Sequence, residues 1–312
     1  MKRIAVILVD WNGVEVTRLC LQSLQQAQLP DGFEWKVYLI DNGSTIPLAT
    51  TMDPIALVVN GAAVTMIRSE QNMGFTGGNN LGIEQALVDD PDYLFFLNND
   101  TVVSSEFLFP LLECLASDST IVAVQPQICF YPEQERIWNA GNLFYPLISH
   151  TTVCGYGMRF KESASTCNTQ SWLTGCAILA KASLFKAPLH LRFNNHFFAL
   201  YEDVDLSFRI RKLGGKLSYV PHSRIYHRAG YSSNTRKKEK EGFTHPFMVF
   251  LNCRNRIWLA RLYTPWYFMP TTIIFLTGYF LLLVPYFLVR GRIKKAFLVI
   301  KAIKEGILNS PV

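Results

Sequence analysis

Apolar and polar positions keep two rhythms over the first 127 residues. Ile4 to Val9 form a continuous apolar run of strand length that ends on Asp10, and Val16, Leu19, Cys20 and Leu24 then recur at helical spacing. WKVYLIDNGS, AVTMIRS, YLFFLNND and TIVAVQPQI repeat the strand pattern. GGNNLGIEQALVDD reads as a glycine-rich loop leading into a helix, and SSEFLFPLLECLA as a helix opened by a Ser cap with Glu close behind. Strands alternating with helices predict an open, mostly parallel α/β sheet. Beyond it, WLTGCAILAK reads as a strand. ALYEDVDLSFRIRKLGG reads as a helix with acids first and bases last, stopped at Gly214-Gly215. KLSYVPHSRIYHRAGYSS reads as a strand and polar loop, NTRKKEKEG as a charge-dense loop, and PFMVFLNCRNRIWLARLY as a helix.

The pattern changes after residue 262. Leu262 to Val289 carry no charge, and the stretch 270–289 just reaches the ~20 apolar residues of a membrane span. The excess behind the 49% hydrophobic content concentrates here, which implies a globular body with a membrane-facing tail. The formal charge of +6 suits nucleic acid, anionic lipid or a diphosphate substrate, and charge alone does not choose among them. Seven scattered cysteines without a C-x-x-C pair predict reduced thiols. MKRIAVILVD reads as a buried first strand, since its apolar run is too short for a signal-peptide core.

In open α/β sheets, ligands sit beyond the carboxyl ends of the strands. Four strand ends close on polar residues: Asp10-Trp11-Asn12, Asp41-Asn42, Arg68-Ser69 and Asn98-Asn99-Asp100. Each alone is ordinary turn punctuation; together they predict a ligand rim. QNMGFTGGNNLGI, with glycines 74, 77, 78 and 82, permits close backbone approach to phosphate or ribose, although it is neither G-x-G-x-x-G nor a Walker loop. The carboxylate of Asp100 beside two amides can hold Mg²⁺ or Mn²⁺, and the plainer reading is a turn capping a buried strand. Glu202, Asp203 and Asp205 crowd a helix start, where a carboxylate can serve as general base; Asp205 and Arg209 are spaced for an i,i+4 ion pair. His227 is a candidate metal ligand or phosphate donor, with His222 competing.

In this order and spacing the elements VILVDWNG, LIDNGS, NMGFTGGNNLGI, LNNDTVV, WLTGCAILAK, YEDVDLSFRIRKLGG and the H-x-x-G-x-S element from His227 to Ser232 resemble a family-2 glycosyltransferase of the GT-A fold. The similarity covers roughly residues 3–260 and is closest to the bacterial rhamnosyltransferase-like branch. It implies an α/β fold with an open mixed sheet flanked by helices, a nucleotide-binding half joined to an acceptor-binding half. It also implies a catalytic domain at 1–245 and a membrane-associating helical segment at 246–312. Carried over residue by residue, Asp41 matches the acid that contacts the nucleotide base, with Trp11 and Asn12 beside it. Arg68 lies on the same rim, and Gly78, Asn79 and Asn80 fall in the donor loop. Asp100 matches the last acid of the D-x-D element that binds a divalent cation; Asn98 replaces the first, and Asn99 lies between them. His227 matches a position near the metal and diphosphate, and Asp203 the catalytic base. Trp172, Gly175 and Glu202 fall on the acceptor side. The implied reaction is inverting, metal-dependent transfer from a nucleotide sugar, dTDP-rhamnose favoured over UDP-hexoses, to a saccharide or polyprenyl-diphosphate-linked saccharide. Nucleic acid is not an expected partner.

Basic residues flank the apolar tail on both sides, Arg254, Arg256 and Arg261 before it and Arg290, Arg292, Lys294 and Lys295 after it. Positive charge prefers the cytosolic side. The expectation is therefore a re-entrant or in-plane segment on the cytoplasmic face of a bacterial inner membrane, with RIKKAFLVIKAIKEG lying on anionic lipid. Two alternatives stand: a nucleotidyltransferase, which would want a basic glycine-rich loop where DWNGVEV lies, and a non-enzymatic sugar-nucleotide-binding scaffold, against which the intact YEDVD argues.

Overall fold

The computed structural model describes residues 1–52, 57–59, 61–160, 168–228, 234–239 and 241–311. In chain order the strands are β1 (Lys2–Asp10), β2 (Phe33–Asn42), β3 (Val58–Val59), β4 (Ala62–Ala63), β5 (Thr65–Ser69), β6 (Tyr93–Asn98), β7 (Thr101–Val103) and β8 (Ile121–Phe130). They continue with β9 (Ile137–Asn139), β10 (Asn142–Tyr145), β11 (His150–Val153), β12 (Asn168–Thr169), β13 (Ala177–Lys181), β14 (Lys216–His227), β15 (Asn234–Glu239) and β16 (Gly242–Thr244). The helices are α1 (Val14–Gln26), α2 (Leu48–Thr51), α3 (Gly74–Leu87), α4 (Leu108–Ser117), α5 (Glu202–Lys212), α6 (Pro246–Tyr263), α7 (Met269–Val289) and α8 (Ile293–Leu308).

The main sheet runs β12-β14-β8-β13-β6-β1-β2-β5, with β7 on β14 and β9 on β8. Strands β6, β1, β2 and β5 are parallel, as the strand–helix alternation predicts. The other half is mixed, because β13 runs antiparallel to both β6 and β8. One hydrophobic cluster (Val6, Leu8, Leu21, Leu39, Phe95, Leu111) fills the face under α1 and α4, and a second (Ile7, Tyr38, Ile83, Phe96, Ile178, Ile210) fills the other. Alternate residues of one strand supply opposite clusters, which is why the strands at the centre read as unbroken apolar runs.

Three local expectations change. Residues 74–87 are helical from Gly74 onward, so the glycines lie within α3 rather than in a loop. A Cβ at Gly82 would come within 2.4 Å of Ile7, and one at Gly78 within 2.6 Å of Val9. These glycines let α3 lie close against the sheet. α4 begins at Leu108 without a side-chain cap, because Ser104 donates its hydroxyl to the Arg224 carbonyl instead. Residues 234–239 are strand in a hairpin with β16 rather than loop. Cys114 is disulfide-bonded, against the expectation of reduced thiols throughout, while Cys20, Cys129, Cys154, Cys176 and Cys253 are free.

The C-terminal helices form a third cluster around Phe250, Leu251, Phe280, Phe287 and Val299. α8 packs tightly along α6: Gly306 abuts Ile257, and Arg261 donates to the Gly306 and Asn309 carbonyls. The stretch Trp266–Val289 is long and apolar enough to cross a membrane.

Candidate active site

Parallel pairing brings the polar strand ends to one rim. The register sets Asp10 beside Asp41, Asp41 beside Arg68, and Val9 beside Asn98. Asp10 is fully buried and accepts from Thr17 Oγ1 (2.5 Å), Asn99 Nδ2 (2.9 Å), the Gly13 amide (3.2 Å) and Ser44 Oγ (3.3 Å). Burial lifts its carboxyl above the ordinary range despite those bonds. Asn99 also donates to Thr17 (2.8 Å), so this residue braces the rim from behind.

Asp41 accepts from the Ser44 and Leu48 amides, each at 3.0 Å, and from Arg68, whose other terminal nitrogen reaches the Ser44 carbonyl. Burial opposes ionisation there, but the Leu48 and Ser44 amides, the Ser44 hydroxyl and Arg68 outweigh it and hold the carboxyl low. Both oxygens of Asp41 are therefore engaged within the chain. Trp11 is half exposed on the rim, and Asn12, in the left-handed region at φ 56°, bonds Ser44 and Thr45. In the α3 segment, Asn79 donates to Phe75 O, while Asn80 pins the 193–195 segment through Phe193 and Asn195. Gly78 packs on Val9. Asn42, read with Asp41 as part of the ligand rim, turns inward and holds the turn before α3 through Met73 N and Gly74 O.

Antiparallel pairing of β7 with β14 sets His227 opposite Thr101, and the Arg228 amide bonds the Asp100 carbonyl. Asp100 Oδ1 and His227 Nε2 lie 3.1 Å apart, both residues buried. The approach lacks hydrogen-bond alignment, so Asp100 Oδ1 and also His227 Nδ1 are left without partners. Trp138 lies edge-on to the imidazole at 4.5 Å. His222 is exposed and away from this corner. Two ligands at right angles on one Mg²⁺-sized cation stand about 3 Å apart, so the pair suits a shared divalent ion. No cluster of three or more His, Cys, Asp or Glu side chains exists among the described residues, which leaves the remaining positions to ligand or water. The Gly230 and Ser232 positions of the H-x-x-G-x-S element lie outside the described residues.

The 174–176 loop ties this corner to α5. Asn98 N donates to Cys176 O (2.9 Å), and Gly175 N donates to Asp203 Oδ2 (2.9 Å). A Cβ on Gly175 would approach Phe75 at 3.0 Å and Asp203 at 3.4 Å. Burial lifts the Cys176 thiol well up, and Asp100, Cys20 and Asp203 add to that rise. Asp203 also accepts from the Val204 amide (2.8 Å). Burial overcomes these amides and raises its carboxyl to about 6. Glu202 is buried with Oε2 unpartnered and is pushed well up by burial, then by Asp203. Asp205 forms the expected pair with Arg209 (2.7 Å) and accepts from Tyr263 (2.5 Å). Trp172, expected on the acceptor side, is buried against Val204 and Leu259 with its indole N–H on Leu143 O (3.1 Å), so it supports α5 from the core.

The segment before α5 is strained. Phe198, Leu200 and Tyr201 all have φ between 65° and 70°. Asn255 of α6 holds it by donating to the carbonyls of Phe197, Ala199 and Leu200 at 2.8–3.0 Å. Nothing in the sequence marked Asn255 or Trp138, since their roles depend on contacts far along the chain.

Residues 5–173 match the family model described as Glycosyl transferase family 2. A search among curated proteins finds no match. Among solved structures, the S. aureus TarS 1-349 complex with UDP-GlcNAc aligns over 98% of this chain and 81% of its own (15% identity, TM-score 0.59). The Pyrobaculum calidifontis mannosyltransferase PcManGT with GDP-Man and Mn²⁺ aligns over 98% and 87% (14%, 0.54). GalNAc-T7 with UDP, GalNAc and Mn²⁺ aligns over 72% of this chain but only 43% of its own (19%, 0.58), and full TarS over 39% of its own length (82% of this chain, 14%, 0.52). The chain thus spans less than half of those two proteins. These likenesses establish a shared fold.

Proposed function

The chain belongs to glycosyl transferase family 2, and from that premise we propose an inverting glycosyltransferase that moves a sugar from a nucleotide-diphosphate donor to a hydroxyl of a saccharide or lipid-linked saccharide. The donor we favour is dTDP-rhamnose, with UDP-hexose as the alternative. The rhamnosyl preference rests on sequence resemblance; the solved structures carry UDP, UDP-GlcNAc and GDP-Man. The pathway is bacterial surface polysaccharide synthesis.

The observation that carries this reading is the run of bonds that ties Asn98, two residues before Asp100, through Cys176 and Gly175 to Asp203, a carboxylate raised to about 6. Asp203 takes the proton of the acceptor hydroxyl as that oxygen attacks the anomeric carbon. The Gly175 and Val204 amides aim its two oxygens. Asp100 and His227 would hold a Mg²⁺ or Mn²⁺ ion, which when bound neutralises charge on the departing nucleoside diphosphate. Mn²⁺ in GalNAc-T7 and PcManGT supports that assignment. Asn98, partly exposed beside the corner, is the amide we assign to the donor.

We assign residues 1–245 to catalysis and 246–312 to a membrane-associating segment on the cytoplasmic face. Thr272, Phe280 and Phe287 bury one side of α7 along its length, while Ile273, Ile274, Leu281, Leu282 and Val289 stay exposed. Thr271 and Thr272 bond Leu147 O at one end, and Phe287 at the other lies under Lys295, which bonds Glu241. A helix tied at both ends to one body supports an in-plane rather than a crossing arrangement. Exposed Lys294, Lys301 and Lys304 suit anionic lipid.

The deciding experiment is a panel of dTDP-, UDP- and GDP-sugars with Mn²⁺, Mg²⁺ or EDTA, read as release of nucleoside diphosphate. We expect metal-dependent release with one donor class, and near-complete loss of transfer in Asp203→Asn with donor affinity retained. Comparable turnover in Asp203→Asn removes the base assignment; no release with any donor removes the transferase reading and favours the scaffold.

A further inference from the structure

A cation held partly away from water without a counter-charge is unfavourable unless a ligand supplies one. Arg256 of α6 is in that position. Its Nε donates to the Tyr201 hydroxyl (3.2 Å), and its guanidinium lies 4.7 Å from the ring centre of Tyr279 on α7. Among the described residues no carboxylate lies within ion-pair distance, and the terminal guanidinium nitrogens make no hydrogen bond. The group is gripped by one edge and one face, with its fork open.

The surroundings are also short of partners. His150, at the start of β11, has its ring 6.1 Å from Phe275 of α7. Phe275 and Tyr279 are four residues apart on one helix, so their side chains adjoin and set His150 and Arg256 along one stripe of α7. His150 Nδ1 is buried without a partner, and so is the hydroxyl of Ser149. Burial, then the charge of Arg256, keeps the imidazole below its ordinary range. Tyr201, which Arg256 holds, immediately precedes α5 and stands two residues before Asp203.

We infer that Arg256, with His150 and Ser149 beside it, is an acceptor phosphate subsite that seats the phosphate or diphosphate of a lipid-linked saccharide where α6, α7 and the β10–β11 hairpin meet. It deepens the transferase reading and rests on it for the word acceptor. A guanidinium fork takes phosphate oxygens in pairs. The exposed apolar side of α7 continues from this corner and offers the lipid chain a course into the bilayer. The sugar end would then extend past Tyr201 toward Asp203. The subsite is separate from the Asp100–His227 corner, which is built on β14 and the turn after β6.

Binding tests this without relying on turnover. Detergent-solubilised full-length protein is titrated in EDTA with farnesyl diphosphate, farnesol and inorganic pyrophosphate, followed by tryptophan fluorescence. Farnesyl diphosphate should bind at least about tenfold more tightly than either of the others, the worth of a charge-assisted hydrogen bond. Arg256→Gln should abolish the advantage over farnesol, Arg256→Lys should keep only part of it, and Lys212→Gln at the exposed end of α5 should leave it intact. Equal affinity for farnesol, or undiminished binding by a folded Arg256→Gln, overturns the subsite. Equal affinity for pyrophosphate overturns the lipid-linked assignment. A failed donor panel would sink the transferase reading while leaving these titrations unchanged, so the two failures are distinguishable.

Discussion

At the residue scale, the polar strand ends do not act as units: Asp10 and Asn99 turn inward while Trp11 stays half exposed. Asn98-Asn99-Asp100 reads as one triplet in sequence, yet Asn99 turns inward to Asp10 and Thr17 while Asp100 meets His227. Asn99→Ala should therefore lower unfolding free energy by about 1–3 kcal/mol through the lost bonds to buried Asp10 and Thr17, measured by denaturant titration, with transfer reduced only a few-fold. Asp100→Ala should instead lose metal-dependent transfer and keep its stability. Asp203 carries a pH prediction. Its folded value, about 6, lies above the ordinary 3.8, and a base works only when ionised. Transfer at saturating donor should fall about tenfold per pH unit below 6 and level off above it; a rate flat from pH 5 to 7 removes the assignment.

At the element scale, α3 shows most clearly what pattern reading misses. Glycines suggest a loop, since glycine disfavours helix. Here the lost propensity is offset by close packing on β1, where a side chain at 82 would overlap Ile7. Gly82→Ala should destabilise by about 1–3 kcal/mol through overpacking, visible as a lower Tm, whereas a loop glycine would tolerate the change. α5 was legible because its charge order, its glycine stop and the Asp205–Arg209 pair are all local. The strained turn before it was not, because Asn255, more than fifty residues later, holds it in place.

At the scale of the whole molecule, the parallel half of the sheet was foreseeable and the antiparallel insertion of β13 between β6 and β8 was not. That insertion delivers Cys176 and Gly175 to the rim and, through them, Asp203. The apolar tail was equally visible, but length and composition alone allow a span. On the in-plane reading, Leu281→Glu with Leu282→Glu should release the protein from vesicles containing anionic lipid, with the sedimented fraction falling by more than half and the donor site intact. Unchanged sedimentation would favour insertion deeper than one helix face.

Sequence alone determined the alternating strands and helices of the sheet's parallel half, the polar ends of four strands, the family and the apolar tail. Each of these depends on neighbours within a turn or a strand, or on motifs whose order along the chain is itself the signal. Tertiary structure decided which polar residues brace the rim, that His227 rather than His222 meets Asp100, and that Arg256 has no counter-charge among the described residues. Those outcomes depend on strand register and helix packing between residues tens to more than a hundred positions apart, and no local pattern encodes them.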